Sequence, residues 1–196
     1  AVQSVPYAEN FDGYTPPASG CLTVTNNNGD PNQWASSTAY WRSSPNSMFI
    51  TKNASLAMDD WFYTPGLALS AGTTYLVSFW YRTSASAFEK MEVKWGTSPA
   101  SSGMTLGQLW NNAGIKTSTY LQGTAVDTPS SASTYYVGWH GYSDLNRQFL
   151  SVDDVAVTEV TSVTWNGSVS ADWNDPSNWT PAVVPMVNLD VIVPSC

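Results

Sequence analysis

The carboxylates are the residues of this chain best equipped for chemistry. Asp153 and Asp154 sit inside the run FLSVDDVAV, Asp59 and Asp60 precede Trp61, and Glu9 opens the segment Glu9-Asn10-Phe11-Asp12 in the expected first strand. Hard oxygens of this kind suit calcium, which takes about six to eight oxygen ligands from carboxylates, carbonyls and water, often on distant chain segments. Ordinary surface acidity would give the same composition. In FLSVDDVAV, Leu150 and Val152 share one parity while Val155 and Val157 share the other. A one-residue slip is what a β-bulge produces, and a bulge can aim two adjacent carboxylates at one cation where a flat strand would split them between faces. A strand that ends early at a turn, leaving both Asp solvated, would give the same letters.

A second chemistry is aromatic. Trp34, Tyr40, Trp41, Trp110 and Tyr142 lie among Asn, Gln and Ser, where exposed rings could stack on sugar faces while amides and carboxylates bind hydroxyls. Local packing would account for any one of them. Trp61, Trp80, Trp95 and Trp139 fall in strand patterns and are expected in the core. Catalysis has less behind it. His140 is the sole histidine, and no Ser stands in a nucleophile-elbow glycine pattern. Glu89 and Glu92, three apart on a strand, are expected on opposite faces rather than flanking one glycosidic bond. No catalytic residue is assigned.

Composition narrows the partners. Seven Lys and Arg against 15 Asp and Glu give a net charge of −8, so no basic surface is available to neutralise nucleic acid or an anionic membrane. No run of about 18 apolar residues exists to span a bilayer. The chain opens at Ala1-Val2-Gln3 with neither Met nor a basic-then-apolar leader, as in an exported chain after processing or a trimmed one. With one His, few Lys and many Ser, Thr and Asn, the expectation is a secreted or cell-surface protein. Cys21 and Cys196 lack metal-ligand spacing; a mutual disulfide, two free thiols, or a Cys196 that pairs elsewhere are all open. Asn53, Asn166 and Asn178 match the glycosylation acceptor pattern, a frequent coincidence in an Asn- and Ser-rich chain.

The elements that must hold these residues are strands, because apolar positions repeat at two and Gly, Pro, Asn and Ser clusters interrupt them. TYLVSFWYR is apolar on both faces, with Tyr75, Val77, Phe79 and Tyr81 on one and Leu76, Ser78, Trp80 and Arg82 on the other, as befits a central strand. EKMEVKWG is half-buried and is expected to pair with it. STYYVGWHGYS and RQFLSVDDVAVTEV supply further strands, while the Gly/Ser/Asn-rich stretch around Leu106, Leu109 and Trp110 reads as a helical turn or long loop. The predicted class is all-β. Residues 1–160 are expected to form one binding module, and residues 161–196, with three Trp among Asn, Asp, Ser and Pro, an incomplete second module or docked linker.

PYAENFDG, MDDWFYTPGLAL, LSAGTTYLVSFWYR, FEKMEVKWGTS and YYVGWHGYSDLNRQFLSVDDVAV, taken in order over about residues 5–158, resemble the cleaved adhesin and choice-of-anchor J domains of bacterial secreted proteins. The resemblance implies an antiparallel jelly-roll sandwich related to MAM-type domains and similar to carbohydrate-binding modules, with its first and last strands together. It also implies structural calcium, with Glu9, Asp59, Asp60, Asp153 and Asp154 at the family's acidic positions, and a non-catalytic role. The partners it implies are polysaccharide or surface glycan, or, for an adhesin or spacer, other proteins, alongside other domains of the same polypeptide. VGWHGYS stands where the family carries an arginine-containing segment, Thr97–Pro129 matches nothing transferable, and the tail resembles the opening of a repeat that follows such domains.

Overall fold

The computed structural model describes residues 1–195; Cys21 is exposed and has no disulfide partner among the described residues, and its pairing with Cys196 lies outside them. In chain order the strands are β1 (Tyr7–Glu9), β2 (Thr23–Asn26), β3 (Ala35–Ser37), β4 (Ser47–Thr51), β5 (Asp60–Tyr63), β6 (Leu67–Leu69), β7 (Thr74–Arg82) and β8 (Glu89–Gly96). They continue with β9 (Gly107–Ile115), β10 (Leu121–Asp127), β11 (Ser133–Gly141), β12 (Phe149–Val160), β13 (Ser162–Trp165), β14 (Trp179–Thr180) and β15 (Asp190–Ile192). The first sheet runs β10-β7-β12-β4-β3 with β1 also on β12, and the second runs β2-β5-β11-β8-β9 with β6 on β11. The two face each other as an antiparallel jelly-roll sandwich, and the first strand lies against the last strand of the sandwich. No helix among the described residues is long and apolar enough to cross a membrane.

Alternation builds the core. Tyr75, Val77, Phe79 and Tyr81 from β7 and Val152, Val155 and Val157 from β12 meet Phe62, Met91, Val93, Val137 and Trp139 from the second sheet. Trp139 stacks on Phe62 with centroids 4.9 Å apart and takes the edge of Phe79 at 5.8 Å.

Three expectations change. EKMEVKWG is strand β8, but its neighbours are β9 and β11, and β7 pairs instead with β10 and β12. The connection between β7 and β8 crosses from one sheet to the other, which sequence adjacency does not reveal. The stretch around Leu109 and Trp110 is strand β9, not a helical turn or loop. Val93 faces Trp110 and Lys94 faces Gln108, so Leu109 is an extra residue and the period of two is lost. Finally, the first strand stops at Glu9, because Phe11 turns at φ 62° and places its ring in the core.

The tail forms its own three-stranded sheet, β14-β13-β15, with β13 and β15 parallel. Val160, Val163, Trp179, Val183 and Leu189 make a small core that continues onto Leu76 and Val126 of the first sheet. Asn188 Nδ2 ties it to the Gly72 carbonyl and Thr74 Oγ1 at 3.0 and 2.7 Å. Asn178 is fully buried and its amide bonds Val169, Ser170 and Asp172, so this match to the acceptor pattern cannot carry a glycan in the folded protein.

Gly123 on β10 gives a test of the packing. A Cβ there would fall 2.3 Å from the Phe79 ring. Gly123→Ala should therefore destabilise the protein by about 1–3 kcal/mol in chemical denaturation; an unchanged midpoint would show that β10 does not lie against Phe79 as described.

Candidate functional site: an arginine–aromatic face anchored on a bulge

β12 carries the bulge that the parity slip foreshadowed. Asp153 faces Trp80 and Ala156 faces Ser78, so Asp154 and Val155 together oppose Phe79. Asp154 adopts φ 47°, a left-handed conformation that Asp tolerates better than bulkier residues. The break leaves one side of β12 to two partners, β4 up to Val152 and β1 from Val155 onward.

What the two carboxylates grip is the loop before β4. Asp153 Oδ2 accepts the amides of Arg42 at 2.6 Å and Ser43 at 3.1 Å. Asp154 accepts Arg42 Nη1 at 2.7 Å and Ser43 Oγ at 2.8 Å. Asp153 is fully buried, and burial, which outweighs the amide donors that pull the other way, pushes its carboxyl up to about 7.

The anchored loop lies on the outer face of the first sheet. The Arg42 guanidinium sits 3.9 Å from the Trp80 ring centroid, within cation–π range. Tyr40 stacks on Phe149 at 4.3 Å and 8°, its carbonyl accepts the Ser47 hydroxyl, and Arg82 lies 4.5 Å from its ring. Trp41 beside them is 48% exposed. Asp154 also lines a cavity of about 420 Å³ with Ala8, Glu9, Asn10, Val155 and Ala156.

The other aromatic candidates lie elsewhere. Trp34 is a correction: it is 1% exposed, edge-on to Phe62, and its Nε1 donates to the Asp60 carbonyl, so no sugar can reach its ring. Trp110 is half-buried against Phe79 and Tyr81. Trp61, Trp95 and Trp139 are buried as expected, but Trp80 is half-buried on the outer face under Arg42. Tyr142 belongs to the outer face of the second sheet, where its hydroxyl donates to Asn111 Oδ1 and its ring is 5.5 Å from His140. His140 there stacks on Trp61 at 4.2 Å, with Nδ1 3.0 Å from Glu92 and Nε2 2.9 Å from Asp59. Lys94 joins Glu92 at 2.9 Å. Among the described residues, no nucleophilic hydroxyl bonds this histidine; both ring nitrogens meet carboxylates.

The five expected metal ligands do not converge, and among the described residues no group of three or more His, Cys, Asp or Glu is close enough to hold an ion. Glu9 accepts Phe11 N at 2.8 Å and Tyr14 OH at 2.5 Å, while Asp153 and Asp154 hold the loop. The remaining pair differ. Asp59 bonds His140 and Asn27 through Oδ1, whereas Asp60 is 1% exposed with Oδ1 unpartnered. Burial first, with the charges of Asp30 and Asp59 adding to it and the Asp59 amide pulling the other way, pushes Asp60 up to about 7. Asp30 closes the loop Asn26–Asn32 beside it, accepting Asn32 N at 2.6 Å and Asn28 Nδ2 at 3.3 Å. An orphaned buried carboxylate oxygen that feels the charge of a second carboxylate, Asp30, is the kind of group a hard cation satisfies. Asp30 had gone unnoticed in the sequence, although its spacing in NNNGDPN, between Asn28 and Asn32, was the available signal.

No protein-family model matches the sequence, and no curated protein does. Solved structures do. The fold is similar to the K1 cleaved adhesin domain of Lys-gingipain from Porphyromonas gingivalis, with TM-score 0.62 at 17% identity, covering 78% of this chain and 96% of that domain. A family-61 carbohydrate-binding module in complex with β-1,4-galactotriose matches with TM-score 0.57 at 9% identity, covering 76% of this chain and 94% of its own. The CBM22-1 xylan-binding domain of Paenibacillus barcinonensis Xyn10C gives 0.53 at 10% identity, with 78% and 92% covered. The chain thus has the jelly-roll fold of cleaved adhesin domains and carbohydrate-binding modules.

The buried Asp153 carries a pH signature. Its folded pKa lies above the ordinary carboxylate value of 3.8, so the native state holds the proton more tightly than the unfolded chain. Its contribution is therefore favourable at low pH and is lost as pH rises from about 4 to about 7. In chelator-treated protein, Asp153→Asn should flatten the fall of denaturation free energy across this window; an unchanged slope would contradict the burial of this carboxyl.

Proposed function

We propose that this chain is a non-catalytic glycan-binding module of a secreted or cell-surface multi-domain protein, and that it meets polysaccharide on the arginine–aromatic face of the first sheet. The observation that carries the reading is the loop Tyr40–Ser43, which presents the exposed Trp41 while its next two residues are fixed to the bulge by four hydrogen bonds. A ring on a restrained loop loses little freedom when a sugar stacks on it. The fold shared with galactotriose- and xylan-binding domains supports the reading, and the likeness to an α-L-arabinofuranosidase, which reaches only 26% of that enzyme, gives no reason to assign hydrolysis here. The task is targeting: weak stacking by one module raises the local concentration of whatever domain is joined to it. The small tail sheet, resting on Leu76 and Val126, is read as a docked linker or partial module at one end of the same sheet.

Calcium belongs to the same reading. Asp30 and Asp60 would hold it with oxygens of the Asn26–Asn32 loop, and the ion would supply the positive charge that Asp60 lacks. An ion bound only by the native state adds stability with its concentration. Calcium added to metal-free protein should raise Tm, and Asp60→Asn should abolish the shift; a transition that calcium leaves unmoved would remove the ion from the account.

Binding is tested on a panel of polysaccharides. Trp41→Ala should weaken a hit by about three- to tenfold, the worth of one aromatic stacking contact. A well-folded protein that binds no glycan would instead favour the second reading, an adhesin-type protein contact centred on Trp41, for which the gingipain adhesin neighbour provides the fold precedent.

A further inference from the structure

Arg82 lies on the outer face of β7, and its surroundings differ from those of the other arginines. Arg42 is ion-paired to Asp154 at 2.7 Å and Arg147 to Asp144 at 3.2 Å. Carboxylates outnumber Lys and Arg by 15 to 7 in this chain, yet among the described residues none lies within ion-pair reach of Arg82. Its Nε, like that of Arg147, is buried without a hydrogen-bond partner, so the absent ion pair is what sets Arg82 apart. The guanidinium instead lies over two rings, with its carbon 4.5 Å from the Tyr40 centroid and 5.8 Å from that of Tyr120. Both rings are fixed, Tyr40 by stacking on Phe149 and Tyr120 by a 2.7 Å bond between its hydroxyl and Ser151 Oγ. Ser151 is the cross-strand partner of Arg82.

A guanidinium stacks through its face and hydrogen-bonds through its edge, and its fork of donors matches a carboxylate with two parallel bonds. We propose that Arg82 is the anion-recognising residue of this face and takes the carboxylate of a uronic acid unit, so that the ligand is an acidic polysaccharide. This rests on the glycan-binding reading and adds the ligand class to it. The nearest acidic device, the bulge, does not compete: Asp153 is spent on the Arg42 and Ser43 amides and Asp154 on Arg42 and Ser43. The net charge of −8 repels polyanions at long range, so recognition must come from a short-range, shape-matched pair rather than a diffuse field.

Titration calorimetry with oligogalacturonate, the same oligomer after carboxyl reduction, and dextran sulfate tests this on the whole chain. The wild type should bind the acidic oligomer about tenfold or more tighter than its reduced form, as befits hydrogen bonds to a charged group. Arg82→Gln should bring the two to parity, and Arg82→Lys, which keeps the charge without the fork, should fall between. Equal binding of acidic and reduced oligomers by the wild type overturns the role of Arg82 while leaving glycan binding in place. Tighter binding of dextran sulfate than of oligogalacturonate overturns the carboxylate assignment, and absence of binding to any glycan, neutral or acidic, overturns both readings. The comparison of the two oligomers needs no variant, so it decides the matter even if Arg82→Gln folds poorly.

Discussion

The interaction on which the candidate site depends is the grip of two adjacent carboxylates on one loop. In a regular strand Asp153 and Asp154 would point to opposite faces, one into the core and one to solvent. The extra residue in β12 turns both toward Arg42 and Ser43, 110 to 112 residues earlier in the chain. Because Asp153 is fully buried, its amide partners cannot be traded for water without leaving a buried acceptor unsatisfied. The loop is thus held where Arg42 covers Trp80, and Tyr40, seated on Phe149, meets Arg82.

The same bulge explains how the first sheet is divided. β4 ends its pairing with β12 just before the bulge, β1 begins just after it, and the cavity lined by Ala8, Glu9, Asp154 and Ala156 opens at the junction. The small tail core rests on Leu76 and Val126 at the far end of β7 and β10, so it is the Tyr40–Ser43 loop, not the tail, that lies over the arginine end of this face. The opposite sheet presents a different chemistry, a row of parallel rings, Tyr63, Trp61 and His140, edged by Asp59, Glu92 and Lys94. There the rings stack on each other and the charges pair with each other, so most of its donors and acceptors are already spent.

Much of the sandwich was legible because strict alternation survives in β7, β8, β11 and most of β12. β9 was not, since bulges opposite β8 erase its period, and β10 was not, since its core-facing positions include Gly123 and Ala125 rather than large apolar residues. Trp34 misled because its neighbours are polar while its own ring enters the core; the hydrogen bond from its indole to the Asp60 carbonyl has no signature in the sequence. The parity slip at Asp153-Asp154 foretold the bulge but not what it would hold. Arg42 follows Tyr40 and Trp41 directly, and Arg82 shares the parity of Trp80, so both arginines were in view without being recognised. A cation that will lie on a ring is indistinguishable, in sequence, from one that will face water.

Amide hydrogen exchange at Arg42 and Ser43 tests the central claim most directly. If the bulge carboxylates hold these amides from a buried position, both should exchange as slowly as the paired amides of β12, because opening them requires disturbing the strand itself. Exchange at the rate of a free surface loop would contradict the account and release Tyr40, Trp41 and Arg42 from the fixed arrangement on which the proposed glycan site is built.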